Sequence, residues 1–120
     1  MESKDPESLS LKITDFGFAC FFQPGEGKKE ILGSPLYMAP EIIHGDSYDA
    51  RVDIWSTGVI TYILLCGRPP YKGKTREEIF NCIKHQPLAF EGATWAKISD
   101  EAKDFIRHAL AKEPADRATA

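Results

Sequence analysis

G-S-P-L-Y-M-A-P-E, residues Gly33 to Glu41, and D-I-W-S-T-G, residues Asp53 to Gly58, are the stretches on which the fold turns. The second opens the best-delimited helix candidate, Asp53 to Cys66. Its stop signals are Gly67, suited to a left-handed helix end, followed by Pro69-Pro70. Along it Ile54, Trp55, Val59, Ile60, Tyr62, Ile63, Leu64, Leu65 and Cys66 wrap nearly all faces, which predicts a helix buried on every side. At about 1.5–3 kcal/mol per fully buried large side chain, this segment supplies more than ~10 kcal/mol of gross stabilisation and belongs at the centre of the core. The first stretch predicts one or two helical turns from Ala39 to His44, with Pro40 near the start and Gly45 placed to end them.

Upstream, Leu9 to Thr14 (L-S-L-K-I-T) alternates with period two and predicts a short half-buried strand. Phe18 to Phe22 is an apolar, aromatic candidate for a second one. Ser3 to Ser8 has turn chemistry, and Gln23 to Lys29 is a loop by composition. Downstream, Thr75-Arg76-Glu77-Glu78 spells a capping box, with Thr75 as N-cap and Glu78 reaching back. Ile79, Phe80 and Ile83 then give one apolar face to a helix over about 76–86. Ser99-Asp100-Glu101 opens a last helix over about 100–112, where Ala102, Phe105, Ile106, Ala109 and Leu110 recur at helical spacing until Pro114. The expected class is mainly α, with one or two short β-strands at the N-terminal end.

The 120 residues make about one domain, and 42% hydrophobic with 28% charged residues is a globular composition. A net charge of −3 gives no electrostatic reason for a nucleic-acid or anionic-membrane partner. Cys20, Cys66 and Cys82 are odd in number and lack metal-ligand spacing, which favours reduced thiols and a cytosolic or nuclear setting. His44, His85 and His108 share no ligand spacing either. The first ten residues carry no apolar signal core. The longest apolar stretch, Val59 to Cys66, falls far short of the ~20 residues a membrane span needs.

Asp15-Phe16-Gly17 follows the predicted strand. An aspartate there, with a glycine that permits unusual backbone angles, suits a metal–phosphate ligand on a movable loop; a strand ending in a turn spells the same tripeptide. Its company decides between them. D-F-G, then A-P-E at Ala39 to Glu41, then D-x-W-S-x-G from Asp53, then Asp116-Arg117 occur in an order and spacing that resembles the eukaryotic protein kinases, from about Leu11 to the last residue. The G-S-P-x-Y-x-A-P-E form resembles serine/threonine kinases. L-L-C-G-R-P-P-Y (Leu64 to Tyr71) and F-F-Q-P-G-E-G-K-K-E-I-L-G-S (Phe21 to Ser34) are similar to the calcium/calmodulin-dependent group, and within it to calcium-dependent kinases of plants and protists.

The resemblance implies part of a kinase larger lobe, with an activation segment over 15–41 and ATP and magnesium as the cofactors of the whole domain. Asp15 matches the magnesium ligand that bridges the ATP phosphates. Phe16 matches the aromatic residue whose packing separates active from inactive states, and Gly17 completes that motif. Ser34, with Pro35 and Tyr37, matches the substrate pocket. Glu41 matches a glutamate that pairs with an arginine at the position of Arg117. Asp53 matches the aspartate that holds the catalytic loop, with Trp55 beside it on the central helix. Phe18, after the D-F-G, implies a preference for serine as acceptor.

The resemblance also sets out what these residues lack. No glycine-rich loop, strand lysine or H-R-D-x-x-x-x-N occurs, so no catalytic-loop aspartate is present and Asp15 is a lone metal ligand. The family's final helix would follow Ala120. Inactivity of the isolated chain is expected, with protein substrates, other kinase segments or regulators as partners. The alternative is a non-catalytic module that binds substrates or regulators through the face around Thr75 to Gln86. No D-x-D-x-D-G calcium loop occurs, and between Gly17 and Ala39 the only hydroxyl-bearing residues are Ser34 and Tyr37.

Overall fold

The computed structural model describes residues 10–21, 23, 25, 27, 28, 31 and 33–119. Helices α1 (Pro40–His44), α2 (Arg51–Cys66), α3 (Arg76–His85), α4 (Ala93–Ala96) and α5 (Asp100–Ala109) follow two 3-10 turns, Phe16–Phe18 and Pro35–Tyr37. A third 3-10 turn, Pro114–Asp116, closes the order. The class is mainly α.

Helices α1, α2, α3 and α5 each have at least one end set by local chemistry. Gly45 and Gly67 end α1 and α2 at φ 77° and 80°, left-handed angles that a Cβ makes costly. α2 begins two residues before Asp53, where the Asp49 carboxylate accepts from the Arg51 amide at 2.9 Å. Thr75 caps α3, its hydroxyl accepting from the Glu78 amide at 3.1 Å. Glu78 reaches back one residue further than a capping box predicts, accepting from the Lys74 amide at 2.7 Å rather than from Thr75. Ser99 caps α5 by accepting from the Ala102 amide at 3.2 Å.

The core forms where α2 meets α5. Gly58 faces Ala109 and Leu110 there, and a Cβ on it would lie 2.7 Å from that of Ala109, so the missing side chain sets the helix spacing. Trp55, Val59, Ile83 and Ile106 are fully buried. Trp55 stacks on Tyr71, with ring centroids 6.1 Å apart and planes 8° from parallel. A second aromatic group joins α2 to α4: Trp95 lies 4.7 Å from both Tyr62 and Phe90, and the Tyr62 hydroxyl donates to the Ala89 carbonyl at 2.8 Å.

Three expectations are corrected. Leu11 to Thr14 forms no strand: Leu11 and Ile13 are 76% and 84% exposed, and no described strand offers a ladder to pair with. An alternating pattern becomes a strand only against a partner edge and an apolar layer; Leu9 lies outside the described residues. Phe18 to Phe22 is not a strand either. Phe16–Phe18 makes the 3-10 turn, Phe21 is exposed, and Phe22 lies outside the described residues. Finally, α2 is not buried on every side. Asp53, Thr57, Ile60 and Leu64, at helical spacing, form an exposed stripe because α4, α5 and the Pro35–Tyr37 turn pack on its other faces.

Candidate functional site

Glu41 enters the core on the first turn of α1, held by Pro40 before it and by the Asp46 amide, which donates to the Glu41 carbonyl at 3.0 Å. Arg117 reaches it from the end of the chain. The two make a forked pair, Nη1 to Oε1 at 2.6 Å and Nη2 to Oε2 at 3.0 Å. Arg117 also donates to the carbonyls of Ala111 through Nε, Arg51 through Nη1 and Lys112 through Nη2, at 3.0, 3.1 and 3.4 Å. All five guanidinium N–H groups are therefore used. The guanidinium carbon lies 5.3 Å from the centre of the Trp55 ring. Ala111 and Lys112 turn their carbonyls to Arg117 instead of continuing a helix, which accounts for α5 stopping at Ala109 and not near 112.

This clasp anchors one wall of a groove of about 590 Å³. Ser56 on α2 fixes a second wall, its hydroxyl donating to the Tyr37 carbonyl at 2.9 Å and so holding the Pro35–Tyr37 turn. The groove gathers Gly17 to Cys20, Ser34, Tyr37, Ile42, Tyr48 and Asp53. It thus brings the D-F-G loop, the G-S-P turn and the start of α2 together. Asp15 and Phe16 lie outside its lining; both are exposed. The unusual backbone of the D-F-G turn falls on Asp15, at φ 60° and ψ 72°, and not on Gly17. A short polar side chain tolerates that region better than most. The Asp53 carboxylate is exposed.

Among the described residues no three His, Cys, Asp or Glu side chains assemble into a metal site. A hard cation such as magnesium takes several oxygen ligands. Asp15 supplies one oxygen-bearing side chain of such a set.

The model of the protein kinase domain matches residues 2–120. The chain belongs to the protein kinase domain family. It is 46% identical over 114 residues to calcium-dependent protein kinase 27 of Oryza sativa subsp. japonica, covering 95% of this chain and 18% of that protein. It is 48% identical, again over 95% of its length, to calcium-dependent protein kinase 14 of Arabidopsis thaliana, of which it covers 21%. The kinase chain thus spans about a fifth of the length of the curated relatives it matches.

Two residues of this kinase chain to which the motifs gave no role shape its interior. Lys112 donates to the Ile83 carbonyl and sits 4.6 Å above the Tyr71 ring; burial lowers its amine below the ordinary lysine value. Tyr71 is pushed up to about 12, first by burial and then by Tyr62, and its hydroxyl is buried with no hydrogen-bond partner among the described residues. Burial likewise raises Tyr62. In the sequence Tyr71 closes the L-L-C-G-R-P-P-Y stretch, and Lys112 stands two residues before Pro114.

These shifts act with opposite signs. Lys112 gives up its proton more easily when folded, so its contribution to stability grows as pH rises towards 10.5. Tyr71 keeps its proton when folded, so its contribution is complete below pH 10 and is lost between 10 and about 12. That loss runs at about 1.4 kcal/mol per pH unit. Tyr71→Phe should flatten the alkaline fall in urea-unfolding free energy above pH 10. It should leave stability at pH 7 little changed, because the hydroxyl it removes is unsatisfied. An unchanged alkaline slope in this variant would contradict the assignment.

Proposed function

We propose that the chain is the substrate-side platform of a protein serine/threonine kinase, whose whole domain transfers the γ-phosphoryl group of magnesium-ATP to protein hydroxyls. The observation that carries this reading is the groove that gathers Gly17 to Cys20, Ser34, Tyr37 and Asp53, anchored by the buried Glu41–Arg117 clasp. In phosphoryl transfer the protein chiefly positions groups and stabilises charge. Ser34 and Tyr37 border the place where an extended substrate segment would lie. Asp15 would contribute one ligand to a magnesium ion whose other partners come from segments outside these residues. Asp53 would hold the catalytic loop from the exposed start of α2. The names of the plant relatives support calcium control of the whole protein, through elements that these residues do not contain.

By itself the chain lacks the H-R-D-x-x-x-x-N loop and a phosphate cradle, and it is inert in catalysis. Calorimetric titration of the purified chain with ATP and magnesium, beside a thermal melt, tests this. No heat and no shift in Tm are expected. Binding tighter than about 100 μM, or roughly −5.5 kcal/mol, would overturn the inert-platform reading.

A further inference from the structure

After α5 the Lys112 side chain turns inwards to α3. Its Nζ donates to the Ile83 carbonyl and lies 4.6 Å from the centre of the Tyr71 ring. Ile83 belongs to the last turn of α3, whose carbonyls lack partners inside the helix. Cys82, the residue before it, packs against the core and carries a free thiol. Burial lowers the Lys112 amine below the ordinary lysine value, and the Cys82 sulfur acts on the same amine in the opposite direction. An influence of that kind requires the two groups to be neighbours in space. Both residues are half-buried, so each keeps part of its surface open to solvent. Neither lines the groove of the candidate site.

We propose that Cys82 and Lys112 form an acyl-relay modification site, in which the Cys82 sulfur takes an acyl group from a small thioester and passes it to the Lys112 amine. In the first step the Cys82 thiolate, the nucleophilic form of the group, attacks the carbonyl carbon of the thioester. A new carbon–sulfur bond forms, the bond to the donor sulfur breaks, and the donor leaves as a thiol with the proton that Cys82 gave up. In the second step the neutral Lys112 amine attacks the same carbon. A carbon–nitrogen bond forms, the bond to Cys82 breaks, and a proton from Nζ returns to the cysteine sulfur. No oxidant or reductant enters either step. An amine attacks only in its neutral form, and the lowered Lys112 amine holds more of that form near neutral pH than an ordinary lysine does. The amide that results keeps one N–H for the Ile83 carbonyl, while the positive charge beside the Tyr71 ring is lost. The relay stands apart from the kinase reading, and its test reads modification rather than phosphoryl transfer.

The test is incubation of the full chain with acetyl coenzyme A, with the rate of acetylation at each lysine followed by peptide mass spectrometry. Lys112 should be acetylated about tenfold faster than the exposed Lys72, Lys74 and Lys97, because a held acyl group reacts within the molecule. Cys82→Ala should bring Lys112 down to the rate of those lysines. The N-hydroxysuccinimide ester of acetic acid, which acylates amines directly, should label Lys112 equally in the parent and in Cys82→Ala. A mere displacement of Lys112 by the substitution would lower both rates. In Lys112→Arg the acetyl group should remain on Cys82, where hydroxylamine removes it. Equal rates at Lys112 and the exposed lysines, an undiminished rate in Cys82→Ala, the same loss with both donors, or no thioester in Lys112→Arg would each overturn the relay.

Discussion

Arg117→Ala is expected to destabilise the chain by about 3–5 kcal/mol, the range for breaking a buried ion pair from one side. Glu41, 7% exposed, would keep its charge in the core with no cation beside it. The carbonyls of Arg51, Ala111 and Lys112 would lose their donor at the same moment. A small domain has only about 5–15 kcal/mol to lose, so the variant should sit close to its unfolding midpoint at 37 °C. Urea unfolding read by tryptophan fluorescence measures this directly. Replacing both partners, Glu41→Leu with Arg117→Met, should recover only part of the loss, because an apolar pair removes the stranded charge but leaves the three carbonyls unanswered. A loss under about 1 kcal/mol in Arg117→Ala is what a surface pair would give, and would contradict the burial on which the site depends.

Trp55→Ala comes next, at about 3–5 kcal/mol for a large aromatic side chain removed from a packed core. Trp55 is fully buried, stacked on Tyr71 and covered by the Arg117 guanidinium. Trp55→Phe should retain more than half of what alanine loses. The two largest effects are coupled. Removing Trp55 takes away the ring face on which Arg117 lies, so the double variant Trp55→Ala with Arg117→Ala should lose less than the sum of the singles, by about 0.5–3 kcal/mol. Strict additivity would mean that the ring and the guanidinium do not support each other.

The prominent helix signals were legible residue by residue because they are local. Gly45 and Gly67 sit where the left-handed angles occur, and Thr75 and Ser99 cap the helices they precede in sequence. Such features depend on a few neighbouring torsions and hydrogen bonds. The strands were misread for the complementary reason: alternation in Leu9 to Thr14 records which residues would face a core, and no described ladder supplies one. The short helix α4 was missed because Ala93 to Ala96 is too brief to show a period.

The same division runs through the site. The residue types of Asp15, Ser34, Tyr37, Glu41, Asp53 and Arg117 stand in the sequence, and their order is enough to name a family. Whether they meet is a matter of chain path. Glu41 and Arg117 are 76 positions apart, and only the packing of α1, α2 and the last turn brings one fork onto the other. Ser56, which fixes the Tyr37 turn, stands in the D-x-W-S-x-G stretch without that contact being readable from it, and Lys112, which lies on Tyr71, stands in no quoted motif. The glycine stops of α1 and α2 and the caps of α3 and α5 were determined by the sequence alone, since each rests on side chains close together along the chain, and the order of the motifs was enough for the family. The exposed stripe of α2, the stop of α5 at Ala109 and the meeting of Glu41 with Arg117 were decided by tertiary structure. Burial and hydrogen bonding between distant segments depend on which surfaces the fold covers, and no single stretch of sequence records that.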